Sequence, residues 1–285
     1  MDTSRFRVRP GQRVDLRRHD PAETRGISKE KATARLARAL ERMVALQDVL
    51  FADNRWAVLL VFQAMDAAGK DSAIKHVMSG LNPQGTQVFT FKRPSEEEID
   101  HDYLWRAQKA LPERGRIGIF NRSHYEEVLV VRVRPDVLAA QKLPERLVTP
   151  RIWKERYEDI NGFERHLARN GTLILKFFLH VSKDEQRKRL IERLDDPGKN
   201  WKFEIGDLDV RERWDDYMEA YEQALSNTST RQAPWFVVPA DHKWFTRLVI
   251  SEAIVEALEG LALTYPKLSK PQRRALDEGR KRLGK

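Results

Sequence analysis

The chain has 285 residues, 52 of them Lys or Arg and 43 Asp or Glu, for a formal charge of +9. That length can bury a real core as one large domain or two small ones, and the absence of cysteine excludes disulfides and thiolate metal sites. The opening MDTSRFRVRP lacks an apolar secretory segment and no later apolar run approaches the ~20 residues that span a bilayer, so a soluble, cytoplasmic protein without membrane contact is expected.

In chain order, residues 1–27 are rich in Arg and interrupted by Pro10 and Pro21, and read as an arm laid over the body or partly disordered. Ser28 then opens a helix whose Leu36, Leu40, Met43, Leu46 and Leu50 form an apolar stripe at spacings of three and four. Five runs of strand length follow: Ala57 to Gln63, Thr86 to Phe91, Arg116 to Phe120, Thr172 to His180 and Trp235 to Pro239. The intervals leave room for crossover helices, which is the spacing of βαβ units and implies a parallel sheet with helices on both faces. Ligands in such sheets bind at the carboxyl ends of the strands. No repeat or linker divides the chain, so residues 1–285 are expected to form one domain. Before the last strand, a polar helical stretch starting at Ser182-Lys183-Asp184-Glu185 and broken by Pro197-Gly198 reads as a mobile helical lid over about 183–216.

The first run leads into FQAMDAAGKDS, a departure from the phosphate loop G-x-x-x-x-G-K-[ST], with Ala64 in place of the first glycine and Asp71 after Lys70. The strand, turn and helix context is that of a phosphate loop. Backbone N–H groups of Ala67, Ala68 and Gly69 at the helix start favour an anion, and Lys70 adds a point charge. Asp66 should repel phosphate unless a cation or proton intervenes, so it either holds Mg2+ or accepts a proton from an attacking oxygen. Asp71 could stand in for the missing hydroxyl as a metal or water ligand, or be an ordinary first-turn acid. Ser72 is one position late for the usual role.

The third run ends at Phe120 and is followed by Asn121-Arg122-Ser123 and an expected helix. A carboxylate for Mg2+ commonly stands at this strand end, and here Asn121 does. The charge must then come from Asp66 or from Glu126 and Glu127 one turn on, while Arg122 would clamp a phosphoryl group. In the lid, Arg187, Lys188, Arg189 and Arg193 outnumber nearby acids, and Arg189 and Arg193 share a helix face that could close over transferred phosphate.

The segments AMDAAGKDSAIKHVMSGLNPQG, KRPSEEEIDHDYLWR, LPERGRIGIFNRSHYEEVL, INGFERHL and SKDEQRKRLIERLDDPGKNWKF together resemble the polyphosphate kinase 2 family over about Arg55 to Asp241. The resemblance implies a P-loop kinase-like three-layer α/β/α sandwich with a parallel five-stranded sheet and a helical lid. It implies phosphoryl transfer between inorganic polyphosphate and purine nucleotides with Mg2+ required, Mn2+ being an alternative. Carried onto this chain, the loop lysine is Lys70, the loop aspartate Asp66, the second-loop arginine Arg122, and the lid arginines Arg187, Arg189 and Arg193. Lys75 and the arm are further candidates for the polyphosphate path. Asn121 together with Glu126 resembles the subgroup that phosphorylates both nucleoside mono- and diphosphates. A homo-oligomer, dimer or tetramer, is expected, and nucleic acid is not expected as a partner.

The charge fits this substrate, since a polyanion with about one charge per internal phosphate must cross a basic channel. Two rival readings are an ATP-dependent nucleotide kinase and a non-catalytic polyanion or nucleic-acid binder. No recognised nucleic-acid module is present, and the seven histidines lack metal-hydrolase spacing.

Overall fold

Short apolar segments form strands where their length and composition place them, and the computed structural model describes residues 1–284. The strands are β1 (Ala57–Ala64), β2 (Thr86–Thr90), β3 (Ile117–Asn121), β4 (Thr172–His180) and β5 (Trp235–Pro239). They pair only in parallel, in the order β2-β3-β1-β4-β5. β1 is central, and Val58 through Phe62 are wholly buried, as a strand covered on both faces must be. Register places Phe62 beside Asn121 and Gln63 beside Phe178, so the carboxyl ends of β1, β3 and β4 lie together.

Helices of seven residues or more are α1 (Lys29–Asp53), α2 (Lys70–Val77), α3 (Ile152–Arg169), α4 (Lys183–Asp195), α5 (Gly206–Glu212), α6 (Trp214–Thr228), α7 (Lys243–Glu259) and α8 (Lys270–Arg282). α1, α2 and α7 pack together on one face of the sheet and α3 and α6 on the other. Ser28 Oγ caps α1 by accepting from Lys31 N–H, and Asn54 closes it in the left-handed conformation. The predicted stripe of α1 is buried at Met43, Leu46 and Leu50 and half-buried at Leu36 and Leu40. None of the helices is long and apolar enough to cross a membrane among the described residues.

Two features close the sheet around the site. The arm buries Phe6, Val8, Val14 and Leu16, and Val8 N–H donates to the Trp235 carbonyl, so the β5 edge is covered. In the middle of β4, Lys176 is fully buried, and its three donors go to Glu164, the Tyr125 hydroxyl and the Thr228 carbonyl. The charge is therefore paired and saturated. It ties the segment after β3 to α3 and to the end of α6.

Candidate active site

The turn after β1 reverses through Ala67, at φ 59°, and Gly69, at φ 96°, before α2 begins at Lys70. A Cβ on Gly69 would stand 3.6 Å from Arg189 Nη1 and 3.9 Å from Lys243 Cε, and the left-handed backbone there favours glycine. Ala67 carries the same backbone cost with a side chain, a form of strain that collects at functional sites. Arg122, directly after β3, is also left-handed at φ 60°.

Side chains from these two loops meet. Lys70 Nζ donates to Asn121 Oδ1, and Asn121 Nδ2 donates to Asp71 Oδ1 at 2.8 Å. Arg122 Nη2 donates to Asp66 Oδ1 at 3.2 Å, and Arg122 Nη1 lies 4.0 Å from Glu126 Oε2. Burial, then repulsion from Arg122, lowers the Lys70 ammonium below the usual lysine range. Burial raises the Glu126 carboxyl, although Arg122 and Lys70 oppose the shift. For Arg122, burial works against the charge but Glu126 and Asp66 outweigh it. On the far wall, burial and the charge of Asp66 push Asp207 up to about 6, and burial raises Tyr217 to about 12.

The structure therefore brings Asp66, Lys70, Asp71, Asn121, Arg122 and Glu126 into one crevice at the carboxyl ends of β1 and β3. Asp71 is an acceptor for Asn121, and Ser72 Oγ accepts from Arg247 Nη2 at 2.9 Å. Lys75 is exposed on α2.

Several expectations need correction. The helix expected after Ser123 is a 3-10 turn, His124–Val128, followed by a single helical turn at Val130–Val133. Glu126 faces the crevice, whereas Glu127 turns away to Arg156 at 2.7 Å and Gln141 at 2.8 Å. The segment expected as lid divides at Arg213. Residues from Trp214 belong to α6, whose Trp214, Tyr217 and Tyr221 are core. The box at Ser182 is half formed: Ser182 Oγ accepts from Glu185 N–H, but the Glu185 carboxylate bonds Arg189 and Ser182 N–H donates to Asp241.

The lid arginines do not share one face toward substrate. Arg189 is buried and spends all five donors: Nε on Glu185, Nη1 on the carbonyls of Ala67 and Ala68, Nη2 on those of Ala240 and Asp241. No donor is left for phosphate, so Arg189 is a strut under the loop and its assignment as a polyphosphate ligand is withdrawn. Arg193 bonds Asp207 at 2.9 Å, and Arg187 is exposed.

Sequence reasoning missed Gln186, whose buried Nε2 donates to the Asp66 carbonyl at 3.0 Å, and Asp207, Lys243 and Arg247. A signal existed for the last pair. Lys243 and Arg247 lie four apart directly after a strand end, on one helix face at the ligand edge of the sheet.

No cluster of three His, Asp or Glu side chains among the described residues could by itself hold a metal. Mg2+ needs no such cage, since it keeps waters and uses one or two carboxylates with substrate phosphate oxygens. The Asp66 carboxylate, beside the phosphate loop and bonded among the described residues by Arg122 alone, fits that requirement.

Comparison with known proteins agrees with this geometry. The model of the family Polyphosphate kinase 2 (PPK2) matches residues 26–264. The chain is 52% identical to the ADP-polyphosphate phosphotransferase of Rhodopseudomonas palustris, over 99% of this chain and 98% of that one. It is 49% identical to the AMP/ADP-polyphosphate phosphotransferase of Meiothermus ruber, over 92% and 95%. The crystal structure of Polyphosphate Kinase 2 from Arthrobacter aurescens TC1 superposes with a TM-score of 0.85 at 42% identity, covering 96% of this chain and 95% of that one. A matched family model spanning most of the chain, relatives of about half identity over nearly their whole length, and a P-loop kinase-like fold with its loop at the crevice make this chain a member of the polyphosphate kinase 2 family.

Proposed function

We propose that the protein transfers phosphoryl groups between inorganic polyphosphate and nucleoside mono- and diphosphates, carrying AMP through ADP to ATP and also accepting GDP. The observation that carries this reading is the convergence of Lys70, Asp66, Arg122, Asn121 and Glu126 on one crevice. In the transfer, an oxygen of the acceptor's terminal phosphate attacks the terminal phosphorus of the chain. The P–O bond to the next phosphate breaks, and the shortened chain leaves with that oxygen as an anion.

Lys70 and Arg122 hold the phosphates in line, which with electrostatics is most of what this chemistry asks of a protein. The attacking atom is a phosphate oxygen, already largely ionised at neutral pH because the second phosphate pKa is about 6. No strong base is needed, which favours Asp66 as a cation ligand or orienting group over Asp66 as a proton acceptor. Mg2+, held by Asp66 and the phosphates, would supply neutralisation of charge on the transferred group. Glu126 and Asn121 line the acceptor side, and the α4–α5 segment, with Arg187 and Arg193, serves as the lid that excludes water.

The relatives' names differ in including AMP, so the acceptor is the point to measure. With polyphosphate as the sole phosphoryl source, AMP should yield ADP and then ATP. ADP formation from AMP only when ATP is the donor would replace this reading with that of an ATP-dependent nucleotide kinase.

A further inference from the structure

Consecutive peptide carbonyls of the phosphate loop are held by one helix. Arg189 takes those of Ala67 and Ala68, and one turn earlier on α4 Gln186 takes that of Asp66, its Nε2 donating at 3.0 Å. The Asp66 carbonyl belongs to the peptide that leads into Ala67, whose φ of 59° is costly for a residue with a side chain. A donor fixed on that carbonyl therefore sets where the backbone turns and where the Asp66 side chain starts.

Gln186 is wholly buried, so its amide needs a partner at each end. The second partner comes from α5, beyond the Pro197-Gly198 break: Arg211 Nη1 donates to Gln186 Oε1 at 2.9 Å and to the Lys183 carbonyl at 2.7 Å. A guanidinium only donates and a carbonyl only accepts, so Oε1 must face Arg211 and Nε2 must face Asp66. Take Arg211 away and nothing orders the amide, and its oxygen can swing against the Asp66 carbonyl. Asp207 and Arg211, four apart, present one face of α5 to Arg193 and Gln186 on α4. Among its described residues α5 buries Asp207 alone, so these polar bonds are most of what seats it, as in a segment that opens at low cost.

We infer that Gln186 and Arg211 are positioning residues of the transfer reaction, which set the Asp66 peptide only while α5 lies against α4. This rests on the reading of Asp66 as the group that orients the cation and the transferred phosphoryl, and adds to it a dependence on the lid. With α5 away, Gln186 loses the donor that orders it and Asp66 is no longer held in line. The site is then incomplete while water has access, and complete once the lid excludes it.

The test measures kcat and KM of Gln186→Met, Arg211→Met and the double variant with long-chain polyphosphate and AMP, well below the Tm of each protein. Methionine keeps an apolar stem and removes the hydrogen bonds. The kcat should fall about 10-fold in Gln186→Met and about fivefold in Arg211→Met, since small displacements of a reacting group cost factors of this order. KM for both substrates should stay within about twofold, because an interaction made only in the transition state moves kcat alone. Arg211 acts through Gln186, so the double variant should be no slower than Gln186→Met. Arg211→Lys, which can still donate to Oε1, should recover about half of the lost kcat or more. Penalties that multiply in the double variant, or KM rising with kcat unchanged, would overturn the inference while leaving the transfer activity standing. Should Gln186→Met fail to fold, the half-buried Arg211 carries the test, and a kcat of Arg211→Met equal to that of the parent would overturn it. Absence of polyphosphate-dependent transfer in the parent would instead remove the reading on which it rests.

Discussion

At the scale of single residues, burial and neighbouring charge decide what each group in the crevice can do. Asp207 shows this best. Its carboxyl titrates at about 6 when folded and near 3.8 when free, so between those values the folded chain holds a proton that the unfolded chain has released. Folding is therefore weakened as pH rises through this window, and the penalty is constant above about 6. Asp207→Asn deletes the titration, whatever it also costs by breaking the pair with Arg193. The Tm of the variant minus that of the parent should climb between about pH 4 and 6 and then level off. A difference that does not change with pH would show that Asp207 is not held as a proton-binding acid.

At the scale of elements, the five strands, α1 and the phosphate-loop context were legible because each depends on local pattern. Val, Ile, Leu and Phe runs of strand length, a Ser cap and a turn before Lys70 carry their own signals. The lid arginines were not legible. Arg189 and Arg193 are chemically alike in the sequence, and only the arrival of four carbonyls from two distant loops makes one a strut. Lys176 was invisible for the same reason: nothing in TLILKFFLH tells that its lysine meets Glu164 and Tyr125. The strut has a consequence for the loop. Arg189→Lys replaces five donors by three, leaves at least two acceptors unmet, and should cost about 2–4 kcal/mol by urea unfolding. Because the phosphate loop then loses its support, kcat should also fall by at least ~10-fold. A loss of stability with unchanged kcat would show that the strut serves the fold but not the loop's geometry.

Across the whole molecule, the crevice rests on a buried charge pair between β4 and α3. Lys176 and Glu164 fix the segment that carries Arg122 and Glu126, since Tyr125 bonds both. Lys176→Met alone should destabilise the protein by about 3–5 kcal/mol, because it strands a buried carboxylate, whereas pairing it with Glu164→Leu should recover much of the loss. Equal loss in the single and double variants, measured by denaturant unfolding, would assign the effect to packing. The same scale explains the net charge. A surplus of +9 gives the molecule a positive field that draws polyanions.

Turnover of Asp66→Asn with polyphosphate and AMP shows whether the crevice built around Asp66 performs the proposed transfer. The expected result is at least a ~100-fold fall in kcat with thermal unfolding little changed, since the substitution keeps the shape and removes the charge. Turnover equal to that of the parent would contradict it.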